Sequence, residues 1–258
     1  MANYENQPRY GATVAQGADS AVDVGLRAHM IRVYNYMMIG LALTGLTAFG
    51  TFSLAVSSEP TQYQIGTGLY LTSFGAMLYG SPLMWVVMLA PLALVFFLSF
   101  RIAHMSVQAA QLTFWVYAGL LGVSLSSIFA VYTAASITQV FFITAATFGA
   151  MSLWGYTTKR DLTGMGSFLF MGLIGIIIAS LVNMFMQSSA LGFAISIIGV
   201  LVFTGLTAYD TQKIKEMYYV GDDGTVAGRK AIMGALSLYL DFINLFLMLL
   251  RLFGQSRN

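Results

Sequence analysis

The sequence predicts an all-α integral membrane protein, a bundle of seven transmembrane helices with a cytoplasmic N-terminus and a C-terminus outside. Three observations indicate this fold class. The 258-residue chain is 58% hydrophobic and 9% charged, whereas soluble domains carry roughly 25% charged residues. Its apolar residues form seven long segments, and its basic residues lie on alternate sides of those segments. We therefore expect the chain to reside in a lipid bilayer.

Polar or charged breaks delimit the first four segments. A helix needs about 20 predominantly apolar residues to cross a bilayer. The first segment ends before Glu59, a long polar loop runs to Pro82, and the second segment stops at Arg101. The uncharged stretch from Ile102 to Thr158 is too long for one helix, so we divide it at the polar break 132–136.

The last three segments are separated in the same way. The charged residues 159–161 close the fourth segment, and the polar residues 187–189 separate the fifth from the sixth. The polar residues 1–30 predict a flexible tail without a cleavable signal peptide, followed by a single membrane domain over 31–254. The predicted spans are 33–56, 83–100, 109–131, 137–157, 165–186, 190–211 and 231–252.

The distribution of basic residues predicts the orientation. Cytoplasmic loops of membrane proteins carry an excess of Lys and Arg. With a cytoplasmic N-terminus, Arg251 and Arg257 are the two basic residues outside, and the other ten lie inside: Arg9, Arg27, Arg32, Arg101, Lys159, Arg160, Lys213, Lys215, Arg229 and Lys230. This bias supports seven spans, because adding or removing one would break the alternation.

Composition also excludes several classes of function. A net charge of +2 is too small to indicate a nucleic-acid partner. The absence of cysteine excludes disulfides, thiolate metal sites and cysteine nucleophiles. The only two histidines, His29 and His104, lack partners for a catalytic set. We therefore expect no enzymatic activity and no cofactor.

Two acids in the last two spans are the candidate site. Asp241 lies in the middle of an apolar segment, where a carboxylate costs about 2.5–3.5 kcal/mol on insertion scales and normally has a functional role. Asp210 lies near the cytoplasmic end of the preceding span. Ser237 and Asn244 share a helical face with Asp241, and Thr207 is the supporting polar residue beside Asp210. A kink in the sixth span would remove the vertical offset between the two acids.

Several chemistries suit this pair. Two adjacent carboxylates in a low-dielectric site share a proton and titrate together near physiological pH. They can instead bind calcium, although calcium wants about six to eight oxygens and the pair supplies at most four. Purely structural cross-linking of helices is a further alternative. Arg101, at the same end of the bundle, is either a counter-ion for the pair or an interface anchor that snorkels.

Four blocks of sequence resemble the transmembrane Bax inhibitor motif family. They are Thr207–Ile214, Leu238–Phe246, Gly122–Phe129 and Phe148–Leu162. The resemblance implies a seven-helix bundle that conducts calcium as a pH-sensitive leak. It also implies that Asp210 and Asp241 form the pH sensor and that Arg101 latches onto them. The absence of organelle signals and the short loops predict a bacterial inner-membrane member of this family. Bacterial relatives are linked to a membrane-bound ATP-dependent protease as regulators or interacting proteins.

Three other classes compete with the channel. An intramembrane aspartyl protease is disfavoured, because Leu238-Tyr239-Leu240-Asp241 replaces the Gly-x-Gly-Asp motif of those enzymes. A non-conducting partner of another membrane protein would keep its function without both aspartates. A proton-coupled transporter would show substrate-dependent flux and a sizeable midplane cavity.

Overall fold

The structure is a computed structural model that describes residues 10–66 and 68–257, most of which are helical. The helices are α1 (Tyr10–Ala55), α2 (Ser73–Gly80), α3 (Leu83–Arg101), α4 (Val107–Leu125), α5 (Ile128–Val131), α6 (Ala134–Thr157), α7 (Thr163–Met186), α8 (Ser189–Glu216) and α9 (Gly224–Phe253). The short strands are β1 (Val56–Ser57), β2 (Gln64–Gly66) and β3 (Leu69–Leu71), and a 3-10 turn covers Ile102–His104.

Seven helical segments of the described chain are long and apolar enough to cross a membrane. This confirms the predicted multi-span all-α membrane protein, whereas the direction in which the chain crosses stays a prediction. The segments are Val24–Ala55, Leu83–His104, Val107–Val131, Ala134–Thr157, Thr163–Met186, Ser189–Glu216 and Gly224–Phe253.

Helix α9 forms the centre of the bundle. In its apolar window 67% of the residues are buried, compared with 11% in the spans of α3 and α7. It packs against α8, α1, α6 and α4. Because neighbouring helices surround α9 on most sides, polar side chains on it face protein rather than lipid.

Small residues allow α1, α4 and α9 to approach closely. A side chain at Gly122 on α4 would collide with the backbone of Thr44 on α1. The Thr44 hydroxyl lies 2.9 Å from the carbonyl of Ala118 and 2.6 Å from the hydroxyl of Tyr239. Such close contacts between small residues are typical of helix packing in membranes.

The polar loop predicted between the first two spans is folded. Strand β3 pairs antiparallel with β1 and β2, in the order β1-β3-β2, and α2 follows. The Thr72 hydroxyl caps α2 by accepting from Gly75 N–H, and Gly75 lies directly against the end of α1. Strands of two or three residues are too short to show an alternating pattern, so the sequence did not predict this sheet.

Several boundaries also differ from the predicted ones. The third span is interrupted, because α4 ends at Leu125 and Ser126 donates its hydroxyl to the Val123 carbonyl before α5 begins. Helix α9 begins at Gly224, seven residues early, because Asp223 caps it. Helix α1 begins at Tyr10, inside the predicted tail 1–30; residues 1–9 lie outside the described part of the chain.

Candidate functional site

Helices α8 and α9 lie antiparallel, and two close contacts fix their register. A side chain at Gly199 would meet Met248, and one at Gly234 would meet Ile214. Between these contacts Asp241 lies level with α8 residue 207, and Asp210 is about one helical turn, roughly 4.5 Å, farther along. The kink that the sequence suggested is therefore unnecessary, since α8 is continuous from residue 189 to 216.

Asp210 and Asp241 both line a cavity of about 540 Å³ formed by α7, α8 and α9. Their carboxyl groups lie close enough to interact electrostatically. Asp241 is only 5% exposed, and within the described residues its Oδ2 atom has no hydrogen-bond partner. The structure thus brings together the two acids that the sequence singled out.

The geometry of this pair calls for a proton or a cation. Ionised carboxylates are acceptors only, so two of them cannot bond to each other unless one carries a proton. A buried polar atom without a partner costs roughly 1–3 kcal/mol, and more if it is charged. One proton shared between Asp210 and Asp241, or one cation bound by both, removes this cost.

The other predicted residues divide into two groups. Ser237 and Asn244 line the cavity, and Asn244 donates its amide to the Leu240 carbonyl at 2.8 Å. Thr207 is fully buried, does not line the cavity and donates its hydroxyl to the carbonyl one turn earlier. Arg101 is exposed, lies outside the cavity lining and makes no hydrogen bond or ion pair with the described residues.

The basic residue at the acid pair is Lys213. It lines the cavity, its charge acts on Asp210, and its Nζ lies 5.9 Å from the centre of the Tyr209 ring. From its sequence position alone, Lys213 was interpreted only as a signal of membrane orientation. Its position three residues after Asp210, on the same helical face, was the signal that would have identified it.

Helix α7 closes the cavity and is held by two contacts that the sequence did not predict. Gly166 on α7 lies against the ring of Tyr209, where any side chain would collide. Gln212 accepts from Leu162 N–H at 2.9 Å and donates to the Arg160 carbonyl at 2.8 Å. These contacts fix the start of α7 against α8 and so set the width of the cavity.

The α6–α7 loop also contains a perturbed acid. Hydrogen bonds from the Thr163 side chain and then from the Thr163 backbone N–H hold the pKa of Asp161 below its usual value. Asp161 Oδ1 accepts from Thr163 N–H at 2.8 Å. Ionised Asp161 therefore supports the first turn of α7 near the cavity.

A directed hydrogen-bond chain lies behind α8. Thr211 donates to the Thr207 carbonyl at 2.7 Å, which uses its only proton. Ser152 must then donate to Thr211 at 2.9 Å, and Tyr34 must donate to Ser152 at 2.5 Å. The chain joins α1, α6 and α8 and leaves none of these three hydroxyls with a free donor.

Metal binding would rely mainly on the aspartate pair. Among the described residues no three His, Asp or Glu side chains are grouped closely enough to hold an ion. Calcium at Asp210 and Asp241 would need further oxygens from backbone carbonyls, Asn244 or water.

Comparison with known proteins agrees with this architecture. The family model described as "Inhibitor of apoptosis-promoting Bax1" matches residues 26–258. The chain is 52% identical over 236 residues to Rickettsia prowazekii "Uncharacterized protein RP147", covering 92% of this chain and 93% of that protein. It is 48% identical over 244 residues to "Inner membrane protein YbhL" of Escherichia coli K12, covering 93% and 97%.

A third similar protein, from Caulobacter vibrioides, is 45% identical over 245 residues, which is 95% of both chains. The name of the Escherichia coli relative and the seven long apolar helices confirm the predicted multi-pass inner-membrane location. The match begins two residues into the first span and includes the rest of the seven spans and the positions of both aspartates. The chain therefore belongs to the Bax inhibitor family.

Proposed function

We propose that the protein is a pH-sensitive calcium leak channel in which the proton shared by Asp210 and Asp241 controls conduction. The observation that carries the proposal is the Oδ2 atom of Asp241, which is buried in a membrane-spanning helix and has no hydrogen-bond partner among the described residues. A second carboxyl group, that of Asp210, lines the same cavity. An intramembrane acid of this kind normally marks an ion or proton pathway. The proposal assigns no catalytic residue and no cofactor.

Proton binding changes the charge of the cavity. With one shared proton, the pair carries one negative charge, which Lys213 on the cavity wall balances. Loss of that proton leaves two carboxylates against one ammonium, and this net negative charge attracts a positive partner, either calcium or the guanidinium group of Arg101. Because the surroundings are apolar, the difference between the two states is larger than it would be in water.

A polar route continues along the seam between α7, α8 and α9. A second cavity of about 930 Å³, whose lining includes Asn183, Ser196 and Arg251, lies farther along the same three helices. Ile176 and Met248 are buried, and along α7 and α9 they fall between the residues that line the two cavities. Hydrophobic constrictions of this kind can gate a channel by excluding water, so this seam supports a closed pathway with polar ends.

Arg101 supplies the proposed latch. Helix α3, which ends at Arg101, packs chiefly on α4 and α2, and few of its residues are buried. A peripheral helix can move at lower cost than the central α9. In the proposal, α3 moves so that Arg101 engages the deprotonated pair and restrains conduction, and protonation weakens this contact.

Calcium entry into proteoliposomes containing the purified protein tests the proposal across acidic to neutral pH. Wild-type flux is expected to vary with pH, and Asp241→Asn and Asp210→Asn are each expected to abolish that variation. Glu59→Gln, an exposed acid in the β-sheet loop, is the matched control. If both aspartate variants kept the wild-type profile, the sensor assignment would be wrong.

Absence of flux in correctly inserted wild-type protein would favour the alternative function. The protein would then be a non-conducting regulator of another membrane protein, for which a membrane-bound ATP-dependent protease is the proposed partner. Crosslinking in native membranes would identify that partner. Function that survives the double variant Asp210→Asn and Asp241→Asn would support the same conclusion.

A further inference from the structure

A long groove lies between α1 and α6, and Phe242 of α9 completes its lining. Its volume is about 790 Å³. It runs from Arg27 to Leu41 along α1 and from Tyr156 to Phe141 along α6. These 14 and 15 residue steps correspond to about 21–22 Å of helix, which exceeds the depth of one bilayer leaflet, about half of a 30 Å hydrocarbon core.

The walls of the groove are apolar. Most of its lining consists of Met, Leu, Ile and Phe side chains, including Met37 and Phe148. Three side chains of its lining carry hydroxyls: Tyr34, Ser152 and, at the mouth, Tyr156. Tyr34 and Ser152 already donate their protons inward along the chain that ends on α8. Apart from Tyr156 at the mouth, the groove therefore offers no free hydroxyl donor among the described residues, and its interior suits a hydrocarbon chain.

The mouth of the groove is positively charged. Arg27 lines it, is exposed, and makes no hydrogen bond or ion pair with the described residues. Lys215 lies beside the mouth, with its Nζ 3.0 Å from the Tyr156 carbonyl and 5.4 Å from the centre of the Tyr156 ring. No acid belongs to the described lining. Guanidinium groups pair well with phosphate oxygens.

We infer that this groove binds an anionic phospholipid, with one acyl chain between α1 and α6 and the phosphate on Arg27. The charge at the mouth selects the headgroup, and the apolar length accommodates the chain. The bound lipid fills the gap between two helices that, among the described side chains, are joined by the Tyr34–Ser152 hydrogen bond. The inference does not depend on calcium conduction.

Gly149 provides a way to fill the groove without disturbing the fold. It lines the groove, and a side chain added there meets no atom within 4 Å. Gly175 on α7 is equally open but lies outside the groove. Gly149→Leu therefore blocks the groove, and Gly175→Leu adds the same side chain elsewhere. Arg27→Gln removes the charge at the mouth, and Arg32→Gln on the same helix removes an equal charge outside the groove.

Native mass spectrometry of the detergent-purified protein tests the inference. Phosphatidylglycerol or phosphatidylcholine with identical acyl chains is added, and lipid adducts are counted. Wild type, Gly175→Leu and Arg32→Gln are expected to retain phosphatidylglycerol preferentially. Gly149→Leu should lose adducts of both lipids. In Arg27→Gln the ratio of phosphatidylglycerol to phosphatidylcholine adducts should fall about tenfold, as expected for the loss of one charged hydrogen bond.

Three results would overturn the inference. Gly149→Leu with wild-type adducts and a wild-type melting temperature would place the lipid elsewhere. Equal losses in Arg27→Gln and Arg32→Gln would indicate general attraction to positive charge rather than a site. A dimer whose formation Gly149→Leu prevents would show that a second copy of the chain, not a lipid, occupies the groove.

Discussion

Helices α6 and α8 cross in close contact at Gly155, and this contact sets the energetic cost of adding a side chain there. A Cβ atom added at Gly155 would lie 2.8 Å from Ala208 Cα and 2.9 Å from its carbonyl carbon, whereas carbon atoms in contact prefer about 3.5–4.0 Å. Both partners belong to helix backbones. The substitution Gly155→Ala therefore forces α6 and α8 apart by about 1 Å.

Two energetic costs follow from that displacement. Overpacking a close helix contact costs about 1–3 kcal/mol. The Ser152–Thr211 hydrogen bond at the same crossing, now 2.9 Å, would lengthen beyond bonding range at a cost of about 1 kcal/mol. The total of about 2–4 kcal/mol lowers the melting temperature by about 5–15 °C for a chain of this size.

Thermal unfolding of the purified protein in detergent measures this loss. Gly149→Ala on the same helix is the control, because its added methyl group meets open space; it is expected to leave the melting temperature unchanged or to raise it slightly through helix propensity. If Gly155→Ala melted at the same temperature as Gly149→Ala, the close crossing of α6 and α8 would be wrong.

The remaining predictions concern single polar side chains. Ser152→Ala breaks the hydrogen bonds to α1 and α8 and should lower the free energy of unfolding by about 1–3 kcal/mol, as measured in a denaturant titration. The control Thr147→Ala loses only a bond within its own helix and should not lower it. Asp161 has a pKa below its usual value, so its stabilising contribution is present at neutral pH and lost as the pH falls through that lowered pKa. The melting temperatures of wild type and Asp161→Asn should therefore converge in acid and separate towards neutral pH; curves that stay parallel would contradict this. Arg101→Ala should raise basal calcium leak in proteoliposomes, and an unchanged rate would remove Arg101 from the gate.

Hydropathy and charge predicted the number and order of the spans because the bilayer imposes a length on every helix. Asp241 was identifiable for the same reason, because the linear sequence alone shows a carboxylate inside an apolar segment. Asp210 followed from its place in the neighbouring span. The side chains of Asp210 and Asp241 are brought together because the Gly199–Met248 and Gly234–Ile214 contacts fix the register of α8 and α9. Hydropathy does not predict these contacts.

Residues whose role depends on tertiary geometry were missed. Lys213 lies in a basic cluster that the membrane orientation of the chain already accounted for. Its position on the cavity wall was therefore not predicted. Gln212 joins a loop 50 residues away in sequence, and no local pattern encodes that contact. The small sheet after α1 consists of strands of two or three residues, and Gly75 packs against the end of α1 beside it. A periodic pattern of apolar residues predicts neither feature. Arg101 was selected by its position in the sequence, and its role as a latch stays a prediction.

The most direct test of the central claim is whether the aspartate cavity lies on the path of the ion. The chain has no cysteine, so Ser237→Cys places a single thiol on the cavity wall, and Ser58→Cys places one in the exposed loop after α1. Calcium entry is measured before and after reaction with a bulky positively charged methanethiosulfonate. The channel proposal predicts that labelling stops flux through Ser237→Cys and leaves Ser58→Cys unchanged. Undiminished flux through fully labelled Ser237→Cys would contradict it.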